Sequence, residues 1–300
     1  MNWLKTRKNT MFMRLHPFVN MAYFLILVFI TMFCQHPVLL CITGITCFFY
    51  SVYLGGYAQF KQTVMLLPVM FLLSFVNPIF NHRGEHVLFY IGKNPITLEA
   101  FLYGLVATGM IYDMILLFSI FQKVMSSDKI ICVFSKILPV GSLLFTMTLR
   151  FVPMYKEQLS KMKAAQRGIG FVEGKKRIQK IQNGVELVSG LLTWALENAL
   201  ETAQSMKARG FGLTGRTYYG RLDMTRLDWQ LMCIMGVDML VVFLALTQGV
   251  FTISYYPTVE WHGFDKLSVL SYTVFFVLSA LPIIIDGKEE VTWNYLKQKI

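Results

Sequence analysis

The chain has 300 residues, of which 55% are hydrophobic and 15% charged, with a net charge of +11. Soluble chains contain about 45–50% apolar and about 25% charged residues, so the composition excludes an ordinary soluble domain and a disordered chain. No Asp, Glu, Lys or Arg occurs between Leu15 and Phe60. An uncharged stretch of this length is typical of membrane-embedded segments. The sequence therefore predicts an all-α polytopic membrane protein.

Cysteine and histidine do not occur at the spacings that metal sites use. The five cysteines stand singly in apolar stretches, and none belongs to a CxxC pair. His82 and His86 are four residues apart, but Gly84 between them favours a loop. We interpret the cysteines as buried apolar groups, and we expect neither a metal nor another cofactor.

Six apolar stretches approach the roughly 20 residues that a bilayer core of about 30 Å requires. The first lacks a small-x-small cleavage site, so we interpret it as a retained helix rather than a signal peptide. Polar residues at Asn81–Asn94 separate the third stretch from the fourth. In chain order the predicted spans are Phe18–Cys34, Val38–Tyr57, Thr63–Phe80, Leu98–Phe121, Asp228–Leu246 and Leu267–Ile285.

Lysine and arginine indicate the orientation, because they concentrate in cytoplasmic loops. Basic residues precede the first span and follow the second and fourth, whereas the loops at Gln35–Pro37 and Gln248–Lys266 contain almost none. Six spans with both termini in the cytoplasm fit this distribution. The residues that carry it are Lys5, Arg7, Lys8, Arg14, Lys61, Lys123, Lys129 and Lys136, and the exceptions are Arg83 and Lys93.

The apolar segment Ile130–Leu149 could be taken for a seventh span. Lys136 interrupts it, and the uncharged run that follows is shorter than a bilayer requires. A seventh span would also move the most basic part of the chain outside the cell. We interpret the segment as an interfacial or protein-covered helix.

The predicted organisation has transmembrane helices at 1–126, a cytoplasmic region at 127–226, and further transmembrane helices and a tail at 227–300. Residues 150–226 contain 14 Lys and Arg but only 6 Asp and Glu. Because the neighbouring spans place this charge at the cytoplasmic leaflet, we expect no nucleic-acid binding. The run of Lys175, Lys176, Arg177 and Lys180 is interpreted as a solvated face near lipid headgroups.

A short pattern occurs twice in this basic region. Gln166-Arg167-Gly168 and Ala208-Arg209-Gly210 each end a predicted helix, since glycine commonly forms a left-handed cap after the last helical residue. Arginine in the last turn is also favoured by the helix dipole. Two such arginines on long helices of one cytoplasmic region indicate tips that dock into another protein.

The two predicted helices are long and amphipathic. The first covers Ser142–Arg167 with a bend at Pro153, and the second covers Gly184–Arg209 with Asn183 as its N-cap. Apolar residues recur along the second helix at steps of three and four, and we interpret them as an ordinary helix-packing stripe. They are Val185, Val188, Leu192, Ala195, Ala199, Ala203 and Met206.

The segment from Leu196 to Gly212, which contains Lys207-Ala208-Arg209-Gly210-Phe211-Gly212, resembles the transmembrane (T) component of energy-coupling factor transporters. Leu15-His16-Pro17, Asn77-Pro78-Ile79-Phe80 and Leu149-Arg150-Phe151-Val152-Pro153 fit the same family. The first tip departs from the family's Ala-Arg-Gly, because Gln166 replaces the alanine.

The resemblance implies a non-catalytic coupling subunit of an ATP-driven importer of vitamins or transition metals. Its partners would be two cytoplasmic ATPase subunits and a separate substrate-binding membrane subunit, the S component. The docking residues would be Arg167, Gly168, Ala208, Arg209 and Gly210. Consistent with a non-catalytic role, the sequence contains no GxxxxGK[ST] phosphate loop.

An alternative is a self-sufficient channel or secondary transporter with a cytoplasmic regulatory hairpin. Such a protein is expected to line its pathway with intramembrane charges. Asp113 and Asp238 lie inside predicted spans, and neither has a basic partner within its span. We interpret both as hydrogen-bonded packing groups. A membrane-embedded enzyme is disfavoured, because no set of acid, base or metal-ligating residues converges.

The predicted topology can be tested by thiol labelling of cells that express a variant of the chain without its native cysteines, carrying either Thr214→Cys or Thr258→Cys. An impermeant maleimide should label Cys at position 258 in intact cells and Cys at position 214 only after lysis, because the basic region is retained inside. Labelling of position 214 from outside would contradict the six-span arrangement.

Overall fold

The computed structural model describes residues 10–81, 84–91, 94–135, 138–169, 177–213, 224–261 and 266–298. They form two compact units, Met1–Ile130 with Asp223–Ile300, and Ile131–Leu222. Several residues named above lie outside the described part, namely Lys5, Arg7, Lys8, His82, Arg83, Lys93, Lys136, Lys175, Lys176 and Thr214.

The regular secondary structure of the described residues is helical except for two small hairpins. In chain order the elements are α1 (Met11–Arg14), α2 (Pro17–Phe33), α3 (Pro37–Ser74), α4 (Val76–Phe80), β1 (Val87–Ile91), β2 (Asn94–Thr97), α5 (Leu98–Val124), α6 (Ser127–Ser135), α7 (Pro139–Gly168), α8 (Arg177–Ala208), α9 (Arg226–Thr247), β3 (Ile253–Ser254), β4 (Glu260–Trp261) and α10 (Lys266–Gln298). The all-α prediction is confirmed. The antiparallel pairs β1–β2 and β3–β4 were not predicted, because both lie in segments that connect predicted spans.

The apolar run Pro37–Phe80 contains the second and third predicted spans, and it reverses direction at Gly56. This glycine has φ 61° and ψ −154°, a backbone conformation that residues other than glycine rarely adopt. The arm before Gly56 runs parallel to α5, because residue numbers rise together along the two. The arm after Gly56 runs antiparallel to α5. The contacts are Gly44 with Asp113 and Gly55 with Lys123 for the first arm, and Gln59 with Ser119 and Ser74 with Gly104 for the second.

Helices long and apolar enough to cross a membrane are Pro37–Phe80, Leu98–Val124, Arg226–Thr247 and Lys266–Gln298, and Pro17–Phe33 is a shorter apolar helix. Because Pro37–Phe80 folds back at Gly56, these helices supply six apolar segments. Helices α6 and α7, which contain most of Ile130–Leu149, are not among the candidate spans. The apolar core contains fully buried side chains of α2, of the first arm of α3, of α5 and of α10, namely Leu27, Leu39, Leu116, Leu117, Phe275 and Leu278.

One end of the membrane unit is joined by buried aspartates, and we call it the aspartate end. Asp286 of α10 accepts hydrogen bonds from the backbone N–H of Phe12 (2.9 Å) and from the hydroxyl of Tyr50 (3.0 Å). Asp228 of α9 accepts the backbone N–H of His16 (3.0 Å) and forms a capping box with Thr225. These bonds hold the chain before α2 against the start of α9 and the later part of α10.

The opposite end carries both β-hairpins, and we call it the hairpin end. The hydroxyl of Tyr272 lies 3.1 Å from Nε2 of His36, and that of Tyr255 donates to the carbonyl of Gln35 (2.7 Å). Asn81 donates to the hydroxyl of Tyr256 (2.9 Å). Successive apolar segments thus run alternately between the two ends, as six spans require.

The interpretation of the cysteines as buried groups is only partly correct. Cys34 and Cys47 are buried, but Cys132 is half-buried and Cys41 and Cys233 are exposed. Their positions on outward faces of α3 and α9 explain this, because apolar side chains of a membrane helix can face lipid as well as core.

The reversal of α3 generates a testable prediction. Gly56→Ala should lower the free energy of unfolding by about 1–3 kcal/mol, since alanine is strained in this conformation. The measurement is thermal unfolding in detergent. Gly236→Ala is the matched control, because an added Cβ at this α9 position meets no atom within 4 Å and alanine favours a helix. Equal unfolding temperatures for the two variants would contradict a turn that depends on Gly56.

Candidate functional site: the arginine tips of α7 and α8

Helices α7 and α8 cross through an aromatic contact and a close approach at a glycine. The rings of Tyr155 and Trp194 are edge to face, with centroids 5.7 Å apart. A Cβ on Gly190 would lie 2.9 Å from Cε of Met162, so glycine permits the close packing. Residue numbers rise along α7 as they fall along α8, and the helices therefore run in opposite senses where they cross.

The start of α8 differs from the prediction. The helix begins at Arg177, so Asn183 lies in its second turn and is not its N-cap. Asparagine is common at N-caps but is also tolerated inside helices, and the residues before it, Ile178-Gln179-Lys180-Ile181-Gln182, have good helix propensity. Helix α7 begins at Pro139 and continues through Pro153 to Gly168, close to the predicted bounds.

The second tip, at the end of α8, is closed by a left-handed glycine as predicted. Gly210 has φ 75°. Its N–H donates to the carbonyl of Lys207 (3.0 Å), and the N–H of Phe211 donates to the carbonyl of Met206 (3.0 Å). This pair of bonds is the Schellman motif. It ends the helix at Ala208, and Arg209 follows with an exposed side chain.

The first tip, at the end of α7, is built differently, and the left-handed cap predicted at Gly168 is wrong. Gly168 is the last helical residue, and the N–H of Ile169 still donates to the carbonyl of Ala165 (3.1 Å). The next residue, Ile169, has φ −83° and ψ 2°, so neither Gly168 nor Ile169 is left-handed. The glycine that follows, Gly170, lies outside the described residues. Arg167 is exposed one residue before the helix ends.

Both arginines lie well beyond the crossing. Arg167 follows Met162 by five residues, and Arg209 follows Trp194 by fifteen, which correspond to roughly 8 Å and 22 Å of helix at 1.5 Å per residue. Because the helices run in opposite senses, the two tips extend from the crossing in different directions. Each guanidinium can make several directed hydrogen bonds to a carboxylate or to backbone carbonyls.

Most of the predicted apolar stripe of α8 is not covered by other described residues, contrary to the prediction, and only Ala195 and Met206 of the stripe are half-buried. Val185, Val188 and Leu192 are 63%, 61% and 60% exposed. The side of α8 with lower exposure is a different one, and it contains Leu187, Gly190, Leu191 and Trp194. At about 100° per residue, the two sets lie on separate faces of the helix. The exposed apolar side chains along α8 are Ile178, Ile181, Val185, Val188, Leu192, Leu196 and Leu200.

Charged groups at this site are exposed. Glu157 and Lys161 of α7 form an ion pair (2.8 Å) in which the hydrogen bond from Lys161 lowers the pKa of the Glu157 carboxyl. An exposed pair of this kind contributes little to stability. Glu186, Glu197 and Glu201 of α8 are exposed as well.

Asp113 and Asp238 do not behave as the hydrogen-bonded packing groups that we expected. Both are buried, but Oδ2 of each has no hydrogen-bond partner among the described residues. Sequence reasoning also missed Asp286, because this residue follows the last predicted span and its partners lie far away in the sequence. Among the described residues, no group of three or more His, Cys, Asp or Glu is placed to bind a metal.

The structure defines an all-α polytopic membrane protein with a separate pair of long helices that carry exposed arginine tips. A family model described as "Cobalt transport protein" (CbiQ) matches residues 8–219, which include both tips. The chain therefore belongs to the CbiQ family, and it is a transport protein of the membrane.

A curated relative is the energy-coupling factor transporter transmembrane protein EcfT of Bacillus subtilis (strain 168). The two are 38% identical over 92 residues, which cover 29% of this chain and 34% of the relative. The matched part of this chain thus spans about a third of the length of that relative.

The two tips permit a matched comparison of their glycines. Gly210→Ala should loosen the end of α8 by about 1 kcal/mol, because φ 75° disfavours a side chain and the new Cβ would lie 3.1 Å from Leu213. Gly168→Ala should leave α7 intact or stabilise it, since Gly168 is helical and has open space. Hydrogen exchange of the Arg209–Phe211 and Arg167–Ile169 amides measures both effects. Similar changes at the two tips would contradict the different endings.

Proposed function

We propose that this chain is the transmembrane coupling component of an ATP-driven energy-coupling factor importer. In this role it transmits the motion of two cytoplasmic ABC-type ATPase subunits to a separate substrate-binding membrane subunit. Membership of the CbiQ family and the name of the Bacillus relative support the proposal. The imported compound would be a vitamin or a transition metal ion, and the substrate-binding subunit would select it.

The observation that carries the proposal is the pair of exposed arginines at the ends of two long helices. Arg209 is presented by the Schellman turn at Gly210, with Ala208 as the last helical residue, and Arg167 lies beside Gly168. Each tip would enter a groove on one ATPase subunit, where acidic side chains or carbonyls bind the guanidinium. Tips that leave the crossing in different directions suit two separate subunits.

The exposed apolar stripe of α8 supports the second half of the coupling role. An unpaired row of apolar side chains along most of a long helix is a typical feature of a protein or membrane contact site. In the proposed role this stripe and the outer faces of the membrane helices hold the substrate-binding subunit. Because apolar contacts are not directional, such a surface can accommodate partners that differ in sequence.

In the proposed role, this chain does not itself hydrolyse ATP. It has no phosphate-binding loop in its sequence, so the ATPase subunits supply the chemistry and this chain supplies mechanical connection. The proposed orientation places region 127–226 and both termini in the cytoplasm, where the ATPases are. The bilayer is the remaining partner, and nucleic acid has no role.

The decisive variants remove the two guanidinium groups. Truncating one partner of a buried charge pair costs about 2–5 kcal/mol, so Arg167→Ala and Arg209→Ala should each weaken co-purification of the ATPases, with Arg209 at least as important. The double variant should abolish ATP-driven uptake while the chain still inserts and folds, because both side chains are exposed.

Lys163→Ala with Lys207→Ala is the matched control, since both lysines are exposed and lie four and two residues before the arginines. This control removes the same charge from the same helices and should retain uptake. Wild-type recovery of the ATPases together with normal transport in the double arginine variant would refute the coupling role. Uptake without any ATPase would favour a self-sufficient transporter.

A further inference from the structure

A cavity of about 260 Å³ lies between the first arm of α3 and α5, within the membrane-spanning part of the chain. Two of its lining residues, Ile45 and Leu105, are about half exposed, so the cavity opens on the outer surface of the helix bundle. The other lining side chains are mostly apolar or small, and they include Cys41, Gly44, Gly109 and Asp113.

Asp113 provides the single carboxylate of this cavity. The residue is only 2% exposed, and its Oδ2 has no hydrogen-bond partner among the described residues. It lies near the middle of α5 (Leu98–Val124), about 22 Å of helix from one end and about 16 Å from the other. At this depth neither water nor a lipid headgroup is at hand, so the carboxyl needs a partner from protein.

Two glycines shape the cavity around this carboxyl group. A Cβ on Gly44 would lie 2.9 Å from Oδ1 of Asp113, so the absence of a side chain lets the carboxyl reach the α3 arm. A Cβ on Gly109, in contrast, would meet nothing within 4 Å. Gly109 therefore leaves space that the chain itself does not fill, and small residues of this kind let a second helix approach closely in a membrane.

We propose that this cavity receives a transmembrane helix of the substrate-binding subunit, and that a hydrogen-bond-donating side chain of that helix pairs with Asp113. Lipid chains could fill the volume, but they have no donor for the carboxyl group. A helix can satisfy its own backbone bonds and still present Lys, Arg, Asn, Gln, Ser or Thr. This inference rests on the proposed function, and it adds a contact inside the membrane to the contact on α8.

The first test fills the cavity from within. Gly109→Leu should reduce recovery of a substrate-binding subunit from the same genome, co-expressed with the chain and its ATPases, by roughly fivefold to tenfold, as expected for the loss of one polar contact and its packing in a membrane. Gly236→Leu is the matched control, because this glycine also lies in a membrane helix with open space around it. Asp113→Leu, which keeps the branched shape and removes both acceptor oxygens, should weaken the same recovery without affecting the ATPases.

The second test identifies what occupies the cavity. The photoreactive residue p-benzoylphenylalanine at Ile45, irradiated in the assembled complex, should cross-link to a transmembrane peptide of the substrate-binding subunit that contains a donor side chain. Cys41 supplies an independent probe, because it is exposed at the cavity. In a variant that retains Cys41 as its single cysteine, the thiol should react with N-ethylmaleimide more slowly in the complex than in the isolated chain. In a control variant that retains only Cys233, the thiol should react equally fast in both.

The outcomes separate this inference from the proposed function. If the ATPases and the substrate-binding subunit assemble with wild-type chain, but Gly109→Leu and Asp113→Leu assemble equally well and Cys41 stays reactive, the cavity contact is wrong and the coupling role stands. Cross-links to lipid alone would also overturn the contact. If neither partner assembles with the wild-type chain, the proposed function fails and this inference fails with it.

Discussion

The fold depends on Asp286, whose carboxylate joins three parts of the chain that are far apart in sequence. It accepts the backbone N–H of Phe12 and the hydroxyl of Tyr50, so that α1, α3 and α10 meet at the aspartate end. Buried polar groups are stable only when their hydrogen bonds are made, and a pair of strong bonds of this kind specifies one arrangement of helices among several with similar apolar contacts. With Asp228 binding the N–H of His16, the same end also fixes where the chain enters α9.

The sequence was sufficient to place the apolar segments but not their connections. Charge-free stretches mark the helices, because the bilayer excludes charge. The reversal at Gly56 was predicted only as a gap between two spans, since the presence of two glycines does not determine their backbone dihedral angles. The hairpins and the Asp286 contacts were missed for a related reason. They depend on residues more than 200 positions apart or on short strands without apolar alternation, and neither gives a periodic pattern.

At the arginine tips, one sequence pattern gave two structures. Arg-Gly permits a left-handed conformation at its glycine, but of the two glycines only Gly210 adopts it, and the N–H groups of Gly210 and Phe211 donate to the carbonyls of Lys207 and Met206. In α7 the N–H of Ile169 keeps its ordinary helical bond, and Gly168 remains helical. The exposed stripe was misinterpreted because an apolar periodicity shows that a face is apolar, not what covers it.

In the described chain, the exposed apolar face of α8 and the buried carboxyl of Asp113 lack neighbours of opposite kinds. On α8 an apolar face lacks an apolar neighbour, whereas at Asp113 a polar atom lacks a polar one. An exposed apolar face can bind many partners with low selectivity, because apolar contacts are not directional. A buried acceptor selects, since a partner without a donor leaves it unpaired at a cost of about 1–3 kcal/mol. The stripe and the carboxylate lie in separate units of the chain, so an unselective apolar surface and a selective polar group belong to different parts of the molecule.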